Sequence, residues 1–199
     1  IGFNDNNGEL SIIDDTNQVV TYNSFGKCIQ KERIVKKAIN FNELKEEFLP
    51  VFLHNQLHFV ERGCGRVFKF NKGSIERIDR SFSHRNQFDA LVVEIRDTLF
   101  CIGGYGFFTV KDHVTYFDEG MGQWFLKNNS FLMNHQILKP LYYLGKDGIT
   151  IYGGDTYVNG IVRDDFSKRQ EKLLKFSLNF SDLEIPLEYS QLEQHDSGF

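Results

Sequence analysis

The sequence predicts an all-β fold assembled from repeated four-stranded units, and three observations carry that prediction. The chain holds 20 Phe and 8 Tyr in 199 residues but only 3 Pro, and Phe and Tyr favour strands. Short apolar segments recur along it, bounded by Gly, Asn and Asp turn residues. An apolar strand ending in double glycine occurs twice, at Gly103-Gly104 and Gly153-Gly154, fifty residues apart. Self-similarity at such a period is the signature of a repeat architecture.

The unit between Phe88 and Asn128 is the best defined. Phe88–Arg96 (FDALVVEIR), Thr98–Gly104 (TLFCIGG), His113–Asp118 (HVTYFD) and Gly122–Lys127 (GQWFLK) read as four strands separated by Arg96-Asp97, Tyr105-Gly106 and Glu119-Gly120. The order returns in Leu138–Leu144, Ile149–Gly154, Leu173–Leu178 and Leu183–Tyr189. An earlier copy reads Phe48–Phe52, Gln56–Val60, Arg66–Phe70 and Ser74–Phe82. Glu9–Ile13, Val19–Phe25 and Cys28–Val35 form a unit of three strands that lacks a first member. Residues 40–48 are predicted helical, with Asn40 as N-cap.

Composition bounds the rest. A net charge of −4 gives no basic stripe for nucleic acid, and no apolar run approaches the ~18 residues of a membrane span. Cys28, Cys64 and Cys101 are too few and too widely spaced for a disulfide scaffold or a metal-ligand pattern. Cys101 reads as a small buried hydrophobe, and Cys64, flanked by arginines, as an inert turn residue in preference to a reactive thiol. No metal or other cofactor is implied, since His54, His58, His84, His113, His135 and His195 are scattered without ligand spacing. With no low-complexity linker, residues 1–199 read as one domain with units at 1–40, 48–82, 88–128 and 138–190. The first residue is Ile, which fits removal of an upstream segment and leaves both a cytoplasmic and an extracytoplasmic location open.

The central unit resembles the Kelch repeat, in which an apolar strand ends in double glycine and is followed by a Tyr-Asp pair and then a Trp. Here these are Leu99-Phe100-Cys101-Ile102-Gly103-Gly104, Tyr116-Phe117-Asp118 and Trp124. Phe117 separates the tyrosine from the aspartate. The last unit keeps the glycines but has Phe176 at the tyrosine position and no Trp, and the first two units lack the double glycine. The resemblance, over residues 48–190, implies a Kelch-like β-propeller of about four four-stranded blades. The physics agrees, because a lone twisted sheet cannot bury both faces and must pack against another. Tyr116 and Trp124 are expected between blades, each contributing ~1.5–3 kcal/mol when buried.

The repeat phase leaves the ring open. His84 to Phe88 and His195 to Phe199 share a spacing, so the chain stops on entering a further first strand. Either this C-terminal tail fills the vacancy in the opening unit and closes the ring, or the ring is incomplete and associates with a partner or with itself.

Candidate binding residues lie on loops. His84, Arg85 and Asn86 precede a strand and read first as Arg and His bonding backbone carbonyls of the neighbouring blade, and second as a site for an anion or a sugar hydroxyl. Tyr105, Phe107 and Phe108 follow the double glycine and form either an exposed aromatic platform for a sugar or a protein or packing against the neighbouring blade. The long segment Asp155–Glu171 contributes Tyr157 and Arg163. Arg62-Gly63-Cys64-Gly65-Arg66 lacks the full phosphate-loop pattern and reads as a plain turn. No nucleophile–base set is legible. The leading expectation is therefore a non-catalytic module that binds a protein or a glycan. The alternatives are a carbohydrate-active enzyme of the oxidase or sialic-acid mutarotase type, and a structural domain of a larger surface or regulatory protein.

Overall fold

A computed structural model of the chain describes residues 2–4, 8–14, 16–80, 86–107, 109–111, 113–127, 141–152 and 175–183. Strands dominate these residues, in small antiparallel sheets that follow one another along the chain. Sheet I contains β1 (Gly2–Asn4), β2 (Glu9–Ile13), β3 (Gln18–Tyr22) and β4 (Cys28–Arg33) in sequential order. β5 (Lys36–Lys37) and the helix α1 (Phe41–Glu47) lead into β6 (Phe48–Leu53), β7 (Gln56–Glu61), β8 (Val67–Asn71) and β9 (Ser74–Arg77). These four strands make sheet II, with β5 added parallel to β9 at its edge.

Sheet III contains β10 (Leu91–Ile95) and β11 (Thr98–Ile102), then, after the hairpin β12 (Tyr105–Gly106) and β13 (Thr109–Val110), β14 (Val114–Asp118) and β15 (Gln123–Lys127). Sheet IV contains β16 (Leu141–Leu144), β17 (Gly148–Tyr152) and β18 (Lys175–Asn179).

Local chemistry accounts for the hairpins. Both residues of His54-Asn55, Lys72-Gly73 and Arg96-Asp97 have positive φ, the backbone that a two-residue turn needs to match strand twist. The helix starts as expected, because the Asn40 side chain accepts a hydrogen bond from the Asn42 amide at 2.9 Å.

Three apolar clusters join the sheets in chain order. Val19 of sheet I meets Leu57, Phe59, Phe68 and Phe70 of sheet II, with Leu44 of the helix alongside. Leu53, Val60 and Val67 of sheet II meet Leu99 and Phe117 of sheet III. Val93, Phe100, Ile102 and Val114 of sheet III meet Ile149 and Ile151 of sheet IV. Strand alternation explains the division: Leu57 and Phe59 point one way and Val60 the other, as do Phe100 and Ile102 against Leu99. Sheets II and III are therefore covered on both faces, which is why β11 reads as a nearly continuous apolar run and why β7 is buried from Leu57 to Glu61 although it carries His58 and Glu61.

Several expectations are corrected. The opening unit does have a first strand: Gly2–Asn4 pairs with Glu9–Ser11, so no vacancy exists there for the C-terminal tail to fill. Three residues are too short to show an alternating pattern. The strand begun at Ser74 ends at Arg77, and Leu183 belongs to a 3-10 turn, Phe180–Leu183, rather than to a strand. Residues 184–189, Gly153-Gly154, Asp155–Glu171 and the tail at 195–199 lie outside the described residues. Cys64 and Cys101 are not free thiols but form a disulfide, with Cα atoms 6.5 Å apart. Cys101 is buried as expected, but it faces sheet II with Leu99 and so meets Cys64. Cys28 is free and exposed.

Candidate functional site

The turn Arg62–Arg66 joins sheet II to sheet III. The carbonyl of Gly63 accepts hydrogen bonds from the amides of Asn86 (3.1 Å) and Gln87 (3.2 Å). Cys64 is bonded to Cys101. Gly65 accepts a hydrogen bond from Trp124 Nε1 at 2.8 Å, and the indole packs beside Phe117, ring centroids 5.3 Å apart. Trp124 and Tyr116 occupy the inter-sheet positions expected of them, against the II–III and III–IV clusters respectively.

The candidate residues Asn86, Tyr105 and Phe107 are brought together next to this turn. Tyr105 and Phe88 exchange backbone hydrogen bonds of 2.7 and 2.8 Å. Gln87, only 3% exposed, donates through its amide to the Gly103 carbonyl (2.9 Å) and accepts from the Thr115 hydroxyl (2.7 Å). The double glycine serves this approach. Gly104 sits at φ +96°, and a Cβ there would lie 2.8 Å from the Gln87 carbonyl. The element approaching is thus the segment entering β10, not a neighbouring sheet. A Cβ at Gly106 would strike the carbonyl of Asn86. Asn86 Oδ1 is buried with no hydrogen-bond partner among the described residues.

Tyr105 is half-buried, and Phe107, at the tip of the β12–β13 hairpin, is 77% exposed. The Lys111 ammonium lies 5.7 Å from its ring centroid, within cation–π range. The arrangement is one exposed ring on a base held by both backbone and side-chain hydrogen bonds. His84, Arg85, Phe108, Tyr157 and Arg163 lie outside the described residues.

Two ionic clusters flank the seam. Glu61 is fully buried and accepts from the Arg66 backbone amide (2.8 Å) and from its guanidinium (2.6 Å), which also reaches Glu43. These hydrogen bonds, those to Glu61 foremost, hold the Arg66 guanidinium well above the usual arginine range. On β7, His58 is fully buried; its Nδ1 bonds the Gln56 carbonyl at 2.8 Å, and its Nε2 has no hydrogen-bond partner among the described residues. Burial pushes its pKa down, outweighing that hydrogen bond. Nearby, Lys69 pairs with Glu119 at 3.2 Å, while His54 approaches Asp97 (3.2 Å) and Glu119 (3.5 Å).

Sequence reasoning missed Gln87, the Cys64–Cys101 bond and the buried Glu61. Neither a lone Gln in a polar loop nor two Cys 37 residues apart carries a local signal. Among the described residues, no group of three or more His, Cys, Asp or Glu side chains is arranged to hold a metal ion, and no helix is long and apolar enough to cross a membrane. No protein-family model matches the chain, and no curated protein matches it either.

Proposed function

We propose that the chain is a non-catalytic recognition module, built as a Kelch-like β-propeller of about four blades, that binds a protein partner through the β12–β13 hairpin. The face-to-face succession of sheets I to IV supports the propeller reading, since blades bury their apolar faces against the next blade in order. The observation that carries the binding reading is Phe107, 77% exposed on a hairpin whose base is fixed against Asn86–Phe88. A rigid, exposed aromatic side chain is the usual anchor of a protein interface. Its base loses little conformational freedom on binding, which preserves affinity. Affinity capture from extracts of the native cell tests this, with wild type, Phe107→Ala and Leu126→Ala as baits. Leu126 is 64% exposed on β15 and serves as a control for exposed apolar surface. Partners lost with Phe107→Ala and retained with Leu126→Ala are expected; identical captures by all three baits would contradict the reading.

A further inference from the structure

Sheets I and II do not close on each other along their whole length. Where Val19 meets sheet II the contact is apolar, but the next row across sheet I is polar. Ser11 stands opposite Thr21, and Thr21 opposite Gln30. Two hairpin tips of sheet II face this row, one carrying Phe52, Asn55 and Gln56, the other Phe70, Asn71 and Lys72. The space between is a cavity of about 270 Å³.

The lining has a particular chemistry. Ser11 and Thr21 are 4% and 8% exposed, yet among the described residues their hydroxyls bond only one another, at 2.9 Å. One shared hydrogen bond leaves a hydroxyl proton and several lone pairs of the pair available. Sheet-to-sheet packing calls for apolar residues at such positions, because buried hydroxyls cost free energy unless they are fully bonded. Around them stand amides that both donate and accept (Gln30, Asn55, Gln56, Asn71), two carboxylates (Glu9, Glu32) and one ammonium (Lys72). Gln56 is oriented by its own hydrogen bond to the Phe70 carbonyl, 3.0 Å. The rings of Phe52 and Phe70 supply apolar surface in the same cavity.

We propose that this cleft binds a small polyhydroxylated ligand, a mono- or disaccharide. Sugar hydroxyls donate and accept at once, so a lining of amides and hydroxyls satisfies them in both senses, and carboxylates accept from neighbouring hydroxyls. The C–H face of a pyranose packs on an aromatic ring in the way other apolar groups do. A cavity of this size, slightly below the range of drug-sized sites, suits one or two sugar rings. This site lies apart from the Phe107 hairpin, and it stands whether or not that hairpin binds a protein.

The test is saturation-transfer NMR on the whole chain with glucose, galactose, mannose, N-acetylglucosamine, N-acetylneuraminic acid and lactose, glycerol being the negative control. Three variants accompany the wild type: Thr21→Val, which keeps shape and removes the hydroxyl; Gln30→Ala, at an exposed position; and Phe107→Ala. Transfer to ring C–H protons of at least one sugar is expected, with affinity about tenfold weaker in Thr21→Val and in Gln30→Ala and unchanged in Phe107→Ala. Thermal melts of each variant exclude unfolding as the cause of a loss, and Gln30→Ala keeps the test valid should Thr21→Val not fold. Transfer to no sugar, or transfer that Thr21→Val and Gln30→Ala both leave intact, overturns the proposal. A loss confined to Phe107→Ala would also overturn it, by moving sugar binding to the hairpin.

Discussion

Trp124 Nε1 donates a hydrogen bond of 2.8 Å to the Gly65 carbonyl, 59 residues earlier in the chain. Gly65 adjoins Cys64, which is bonded to Cys101 on the strand two removed from that of Trp124. A single short turn of sheet II is therefore held to sheet III by a covalent bond, by an indole and by the Gly63–Gln87 bridge.

Replacing Trp124 with Phe keeps an aromatic ring and removes the donor. The Gly65 carbonyl then loses its partner at a half-buried seam, and the expected cost is ~1–2 kcal/mol. Trp124→Ala also empties the space beside Phe117 and is expected to cost ~3–5 kcal/mol. Urea unfolding of both variants measures the difference; a Trp124→Phe variant as stable as wild type would show that the hydrogen bond contributes nothing, and equal losses in the two would show that the ring's packing contributes nothing.

Thiol titration in denaturant, without reductant, is expected to find one reactive thiol, that of Cys28. Closing a loop of 37 residues restricts the unfolded chain enough to stabilise the fold by about 4 kcal/mol in the chain-entropy account. Cys64→Ser with Cys101→Ser is expected to show a loss of that order in unfolding experiments with no reductant present. Three titratable thiols in the oxidised protein would contradict the pairing. Such a bond also fits folding in an oxidising compartment.

Much of the fold is legible because β-strands announce themselves by alternation and by turn chemistry. Arg96-Asp97 and Asn71-Lys72-Gly73 mark real hairpins, and Asn40 caps a real helix. The misses have a common physical cause: they are made by pairings with other segments rather than by a pattern within one segment. Gly2–Asn4 is a strand because β2 offers it an edge, and β12 because two residues find β13. Cys64 meets Cys101 because odd-numbered positions of β11 face sheet II. The candidate site is legible only in part, through Asn86, Tyr105 and Phe107, whereas Gln87, which fixes their base, carries no sequence signal. The cleft between sheets I and II draws on six strands and two hairpin tips, so no linear motif could mark it.

His58 gives the protein an acid-sensitive seam. Its pKa is lowered in the folded state, so below an unfolded value of about 6.5 the unfolded chain binds more protons than the folded one. Stability contributed by neutral His58 is thus complete above that pH and declines as pH falls through it. The slope is at most ~1.4 kcal/mol per pH unit. Lys69 and His54 oppose the imidazolium, while Glu119 favours it. Denaturation midpoints at roughly pH 7.5 and 5.5 should differ less in His58→Leu than in wild type. The same difference in both would remove His58 as the cause.

Glu61 and Arg66 form a pair whose members need each other. Arg66→Met leaves a carboxylate with no exposure without its guanidinium partner, and the expected loss is ~3–5 kcal/mol. Glu61→Leu combined with Arg66→Met is expected to be less harmful than Arg66→Met alone, since the apolar pair removes the buried charge. A double-mutant cycle with strictly additive losses would contradict the coupling.

Four sheets stack face to face in chain order, and methyl-labelled NMR reads that stacking directly. Nuclear Overhauser contacts are expected in all three clusters: Val19 with the Leu57 group, Leu53 or Val60 with Leu99, and Ile149 or Ile151 with the Val93 and Ile102 group. Absence of contacts across any one of the three interfaces, in a protein whose strand signals are otherwise native, would contradict it.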